Sequence, residues 1–283
     1  MDIDALNNWK FDDLEHTYTE RDTMLYALGL GFGEDPDDAK ELAYVYEDGL
    51  KTAPSMALIL GYPGFWMKDP KTGIDWKKLL HGEQWLEMHK ALPTAGTVIG
   101  RTRIDQISDK GEGKGAVVYL TRDVIDKASG DLLAEVKMST FCRGDGGFGG
   151  ENLPGPKPAV IPDRAPDHVC ELKTLPRQAL IYRLSGDYNP LHADPEVARS
   201  VGFERPILHG MATYGIAGRA ILKTLCDYDA TKLKGLDVRF SAPVYPGETV
   251  RVEMWVDGQE VRFRASVVER DLVVLNNGAA RLS

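Results

Sequence analysis

The residues with the most chemical potential in this sequence are Asp187, Asn189, His192 and Gly210. A carboxylate and an imidazole can between them take a proton from a reacting group and return one, which is the equipment of general acid–base catalysis. Asp187 and His192 stand five residues apart, a spacing that does not stack two side chains on one helix face. Asn189-Pro190 forces a turn between them, and such a turn can gather both side chains around one water molecule that Asn189 helps to orient. Gly210 opens a helical run, where unpaired N–H groups and the helix dipole favour negative charge. Having no side chain, it also lets an oxygen approach closely. The bland alternative for Asp187 is an Asx-type turn, its carboxylate bonding only to the backbone two residues on.

The neighbouring candidates are weaker. Tyr182 is expected to pack or to touch a ligand, not to transfer protons, and His209 is expected to be a structural, hydrogen-bonding histidine. Ser185, Asp187 and His192 spell a serine triad, but no G-x-S-x-G elbow is present and triad members come from separate segments. His81 and His89 are eight residues apart, about 12 Å if helical, not the four that put two ligands on one metal. No metal site and no cofactor are predicted.

These residues need a frame. Val250, Val252, Met254 and Val256 alternate with Arg251, Glu253 and Trp255, and Val261, Phe263, Ala265 and Val267 alternate with Arg262, Arg264 and Ser266. That is the period of half-buried antiparallel sheet, turning at Asp257-Gly258. Upstream, Tyr214, Gly218, Ile221 and Leu225 recur at helical spacing with Arg219 and Lys223 on the other side, predicting one largely buried helix over 211–225. A helix wrapped by antiparallel strands is an α+β arrangement. Glycines and prolines crowd between 144 and 170, which reads as a linker between an N-terminal domain (1–143) and a C-terminal catalytic domain (171–283). A phosphate-cradling loop is the weaker reading, since no G-K-[ST] ending follows.

Leu80-His81-Gly82 echoes Leu208-His209-Gly210, and Gly96-Thr97-Val98 echoes the run from Gly247 to Val250, in the same order, so a duplicated domain is expected. Counted between the echoes, the first copy is 23 residues short where the second carries its helix. A shortened or missing helix there would leave an apolar groove for an acyl pocket, with Ala57, Leu58, Ile59, Leu60, Tyr62, Phe65 and Trp66 as candidate lining.

The run Tyr182-Arg183-Leu184-Ser185-Gly186-Asp187-Tyr188-Asn189-Pro190-Leu191-His192 resembles the signature of the hydratase 2 family, the MaoC-like (R)-specific enoyl-CoA hydratases. The resemblance continues through Arg205-Pro206-Ile207-Leu208-His209-Gly210. In the first half it is carried by Tyr26-Ala27-Leu28-Gly29, Tyr44-Val45-Tyr46-Glu47 and Phe148-Gly149-Gly150, as in the long, eukaryotic-type members. It implies a double hotdog fold and reversible hydration of trans-2-enoyl-CoA to (3R)-3-hydroxyacyl-CoA, and it allows a homodimer of such chains. Glu47 matches a glutamate that the resemblance marks as important, and a structural role for it is equally open. Alternatives are dehydration of another CoA thioester, such as a steroid side chain or a short dicarboxylic acyl group, a hotdog thioesterase, or a non-catalytic acyl-CoA binder. For the CoA phosphates, Lys232, Lys234 and Arg239, or Arg219 and Lys223, are the candidate cations.

Composition narrows the rest. With 43% hydrophobic and 27% charged residues among 283, the chain is an ordinary globular protein of about two domains. A net charge of -9 without a basic run argues against nucleic acid or an anionic membrane as partner. The most apolar stretch, 55–67, is broken by Pro63 and too short to span a bilayer. Three widely spaced cysteines and an acidic start without a signal pattern point to reduced thiols in the cytoplasm.

Overall fold

A computed structural model describes all 283 residues. The first half supplies β1 (Leu14–Tyr18), β2 (Leu79–Met88), β3 (Gly96–Asp109), β4 (Ala116–Asp126) and β5 (Leu132–Cys142). The second supplies β6 (His168–Lys173), β7 (Leu233–Phe240), β8 (Thr249–Asp257), β9 (Glu260–Val267) and β10 (Leu272–Leu282). All ten join in one antiparallel sheet in the order β1-β3-β4-β5-β2-β7-β10-β9-β8-β6. The order reads the same from either end once β1 is matched with β6, β2 with β7, and so on, so the halves are related by a pseudo-two-fold axis. That axis passes between β2 and β7, where Trp85 faces Asp237. The alternating runs read from the sequence form the β8–β9 hairpin in the expected register, Val252 opposite Ala265.

The helices are α1 (Ile3–Asn7), α2 (Glu20–Gly29), α3 (Ala39–Leu42), α4 (Gln178–Tyr182), α5 (Pro195–Ser200) and α6 (Gly210–Leu225). Helix α6 is the predicted central helix, and its residues from Ala212 to Leu222 are all buried. Against it pack Leu236 and Val238 of β7, Val250, Val252 and Met254 of β8, and the turn Pro54–Leu58. Each large apolar side chain buried there contributes about 1.5–3 kcal/mol.

One expectation fails on this helix. Arg219 is not on a solvent face and cannot meet CoA phosphates: it is 2% exposed and clasped by Glu41, with Glu34 at 3.1 Å. A helix enclosed on every side has no polar face, so its one guanidinium is neutralised by carboxylates brought from the first half.

The duplication is real, but its alignment differs from the echoes. Leu80-His81-Gly82 lies inside β2, whereas Leu208-His209-Gly210 leads into α6, so the two tripeptides are not counterparts. The connection from β1 to β2 covers 60 residues and that from β6 to β7 covers 59, so nothing is deleted. The first connection lacks a long helix because proline and positive-φ glycine break it into short pieces, among them Pro54, Gly61, Gly64, Pro70 and Gly73.

The glycine-rich run after β5 folds back on the first half. The Asp109 carboxylate accepts N–H bonds from Gly111, Gly147, Gly149 and Gly150 at 2.8–3.2 Å, which holds its pKa down. Beyond it the chain crosses the sheet face opposite α6, where Asn277 donates to the Ala159 carbonyl and the Trp255 indole to that of Arg164.

Candidate active site

The candidate catalytic loop sits between α4 and the start of α6. Arg183–Ser185 and Pro190–His192 are single 3-10 turns, and Gly186, at φ +118, takes the left-handed bend between them. Asp187 Oδ1 accepts the Asn189 N–H at 3.1 Å, so the Asx turn forms and leaves Oδ2 without a hydrogen bond, 4.0 Å from His209 Nε2, on a half-exposed side chain. Asn189 Oδ1 in turn accepts from the Leu191 N–H at 3.1 Å and caps the second turn. The asparagine therefore spends its carbonyl on shaping the loop, and its amide nitrogen is the group left to orient a water.

His192 is buried, with Nδ1 2.9 Å from the Ile207 carbonyl. A carbonyl can only accept, so Nδ1 carries the proton and Nε2 presents a lone pair. Burial lowers the His192 pKa, against a smaller upward pull from the Ile207 bond and Asp187, so the ring is neutral at neutral pH. Its plane stacks on that of His209, with centroids 3.7 Å apart and 26° between planes. His209 donates from Nε2 to the Asp187 carbonyl at 3.1 Å, and burial, reinforced by His192, pushes its pKa down to about 4. The two stacked rings thus tie the loop to its surroundings, His192 through Ile207 and His209 through the Asp187 carbonyl.

Tyr182 lies beneath, 1% exposed, its ring 5.0 Å from that of His209 and 5.8 Å from Tyr26. It packs the floor. Gly210 is the first residue of α6, and no side chain caps that end. A methyl group on Gly210 would meet the Phe240 ring at 3.3 Å, so only glycine leaves that gap open. The Phe240 ring itself packs at a tilt against His81, with 4.6 Å between centroids and 54° between planes.

Other sequence candidates lie elsewhere. Phe240 ends β7, and Lys234 is six residues back along it, roughly 20 Å away, with Lys232 just before the strand. Arg239 alternates with the core residue Val238, so it faces away from α6, into a groove under the 156–160 segment. Glu47 is exposed, three residues past Tyr44, whose hydroxyl bonds to the Tyr228 carbonyl beyond the C-terminal end of α6. The catalytic loop is at the N-terminal end, about 24 Å along a 16-residue helix. None of these four joins Asp187 and His192. Ala57, Leu58 and Leu60 are core residues, and Trp66 packs on Trp9 and Phe11.

The sequence reading missed Arg183, whose charge lowers the pKa of both imidazoles and whose guanidinium lies 5.1 Å from the Tyr188 ring. Its place inside the motif run was signal enough. It also missed Arg122, which comes from β4 and has no motif around it.

Ligand atoms of Asp187, His192 and His209 lie within 4.8 Å of one another. Each ring commits one nitrogen to a backbone carbonyl, His192 Nδ1 and His209 Nε2, and keeps the other free, His209 Nδ1 being buried without a partner.

Residues 158–277 match the model of the MaoC like domain, and residues 16–144 that of the MFE-2 hydratase 2 N-terminal domain. The chain is 40% identical over 295 residues to the enoyl-CoA hydratase 2, peroxisomal, of Arabidopsis thaliana, covering 96% of this chain and 93% of that protein. It superposes on the MaoC-like dehydratase of Phytophthora capsici with a TM-score of 0.87 and 36% identity, covering 100% and 99% of the two chains. A Mycobacterium tuberculosis protein described as a double hotdog fold aligns at 14% identity and a TM-score of 0.58, over 98% and 96% of the chains. With its mirrored ten-stranded sheet, its single enclosed helix and both family models matched in order, the chain belongs to the MaoC-like, MFE-2 hydratase 2 family, in the double hotdog form.

Proposed function

We propose that the protein is a hydro-lyase that reversibly hydrates trans-2-enoyl-CoA to (3R)-3-hydroxyacyl-CoA. The observation that carries this reading is the pairing of the unengaged Asp187 carboxylate oxygen with the neutral, Nε2-open His192 at the uncapped start of α6. Family membership supplies the substrate class, since the Arabidopsis relative is named an enoyl-CoA hydratase 2.

The chemistry follows from the geometry. One water bridges Asp187 and His192, its hydroxyl oxygen adds to C3 of the conjugated thioester, and the pair takes the released proton and hands it to C2. Electron density flows into the thioester carbonyl during addition, and the Gly210 N–H with the α6 dipole stabilises that oxygen. Oxygen and hydrogen of a single water end on C3 and C2, so no redox partner is needed. Asn189 is assigned to orienting the water, and Tyr182 and His209 to holding the loop.

The second half (171–283) is read as the catalytic domain and the first (1–143) as scaffold and acyl wall, joined by 144–170. No helix is long and apolar enough to cross a membrane. All three cysteines are free thiols, which supports a reducing compartment, read here as the cytoplasm; the Arabidopsis relative is named as peroxisomal.

The test is hydration of enoyl-CoA esters of increasing chain length, followed by loss of the conjugated thioester absorbance, with chiral analysis of the product. The (3R) alcohol is expected. A (3S) product, or thioester cleavage in place of hydration, overturns the reading.

A further inference from the structure

The chain buries two guanidinium groups and treats them differently. Arg219 is met by two carboxylates. Arg122, on the core-facing side of β4 between Leu120 and Val124, is 4% exposed and has no carboxylate within 4.0 Å. Its Nη2 donates to the Ala57 and Leu58 carbonyls at 3.3 and 2.6 Å, and its Nε–H is buried without a partner. Backbone carbonyls satisfy hydrogen bonds, but they do not supply the negative charge that burying a cation calls for.

The place of Arg122 says where that charge could come from. Its guanidinium carbon is 5.5 Å from the ring centre of Tyr62, which is 43% exposed. Tyr62 is held by Gly61, whose N–H bonds to His16 Nδ1 at 3.1 Å and whose φ of +63 presses it onto Gly100 of β3. Burial raises the Tyr62 phenol pKa, with a smaller downward pull from Arg122 and an upward push from Asp187. Tyr62 thus lies against the unneutralised guanidinium and near enough to the Asp187 carboxylate to feel its charge, at the end of a segment whose 54–58 turn packs on α6.

We propose that Arg122 receives the negatively charged far end of the acyl group, so that the preferred substrates are enoyl-CoA esters whose acyl tail carries a carboxylate. This rests on the hydratase reading above and adds the substrate class. The tail would pass along Tyr62 and offer a carboxylate oxygen to the idle Nε–H, while Nη2 stays on the Ala57 and Leu58 carbonyls. Arg122 is then a specificity-determining residue contributed by the non-catalytic half.

The experiment compares kcat/KM for two trans-2-enoyl-CoA esters of equal chain length, one ending in a carboxylate and one in a methyl group, on the wild type, Arg122→Gln and Arg122→Leu. The wild type should favour the carboxylated ester by at least about tenfold. The variants should erase that ratio, chiefly through KM of the carboxylated ester. A wild type that favours the methyl ester, or variants that lower both esters equally, would make Arg122 a strut for the 57–62 segment and overturn the proposal. If the variants do not fold, inhibition of the wild type by the two saturated CoA esters decides the matter, and equal inhibition constants count against it. Failure of every ester to be hydrated would instead defeat the hydratase reading.

Discussion

Replacing Gly210 with alanine separates the oxyanion role of its N–H from any role in stability. The added methyl would lie 3.3 Å from Cε1 of Phe240, close enough to displace that ring by a few tenths of an ångström but not to break the helix. Gly210 is the first residue of α6, where the advantage of about 1 kcal/mol that alanine has in a helix interior is not fully felt, so the melting temperature should change little. Catalysis should behave otherwise. A donor to a developing oxyanion acts at about 2.7–3.1 Å, and a methyl on the donor's own Cα occupies space the thioester oxygen needs. Loss of one such donor costs about 100- to 1,000-fold in kcat, or 2.7–4 kcal/mol. Thioester absorbance gives kcat and KM, and circular dichroism gives stability. A second variant, Gly210→Ala with Phe240→Leu, removes the ring contact. If activity returns in it, the loss came from the displaced ring. If Gly210→Ala alone keeps kcat within about threefold of wild type, Gly210 is not the oxyanion donor.

Three further outcomes are expected. Because burial holds the His192 pKa below its ordinary 6.5, Nε2 stays unprotonated through that value, and the acid limb of kcat/KM should fall below pH 6.5; a limb at or above 6.5 contradicts the buried, neutral His192 described above. Glu41→Gln leaves the buried Arg219 with only the half-exposed Glu34, and chemical denaturation should show a loss of about 3–5 kcal/mol, against little change for Glu34→Gln. Gly61→Ala should lower stability, by more than about 1 kcal/mol in the same measurement, and should not retune chain-length preference. Its Cβ would stand 2.6 Å from Gly100 Cα at a φ of +63, so it meets backbone and not an acyl pocket.

The parts legible in the sequence are those that local pattern controls. Alternation at 250–267 gave the β8–β9 hairpin because sheet faces are set by residue parity, and the small and apolar run from Met211 gave α6 because only a helix buries that period. Asp187, Asn189 and His192 were legible because a turn places them, and the turn is written in their own residues. Arg219 was misread because helical spacing shows which side a residue is on, and not what covers that side. Its partners Glu34 and Glu41 arrive from 185 and 178 residues away. Arg122 and Tyr62 carry no motif, since their meeting depends on how the 57–62 segment folds over β4. The Asp109 carboxylate, held by four glycine amides, explains a glycine-rich run that composition could only mark as a linker.

The most direct measurement for the central claim is a double-mutant cycle on the catalytic pair. Asp187→Asn and His192→Ala, each checked for native circular dichroism, should separately lower kcat by at least about 100-fold. Because both act on one water, the double variant should fall little further than the worse single one. Near-normal turnover in either folded variant, or losses that simply multiply in the double variant, would contradict a shared water held between Asp187 and His192.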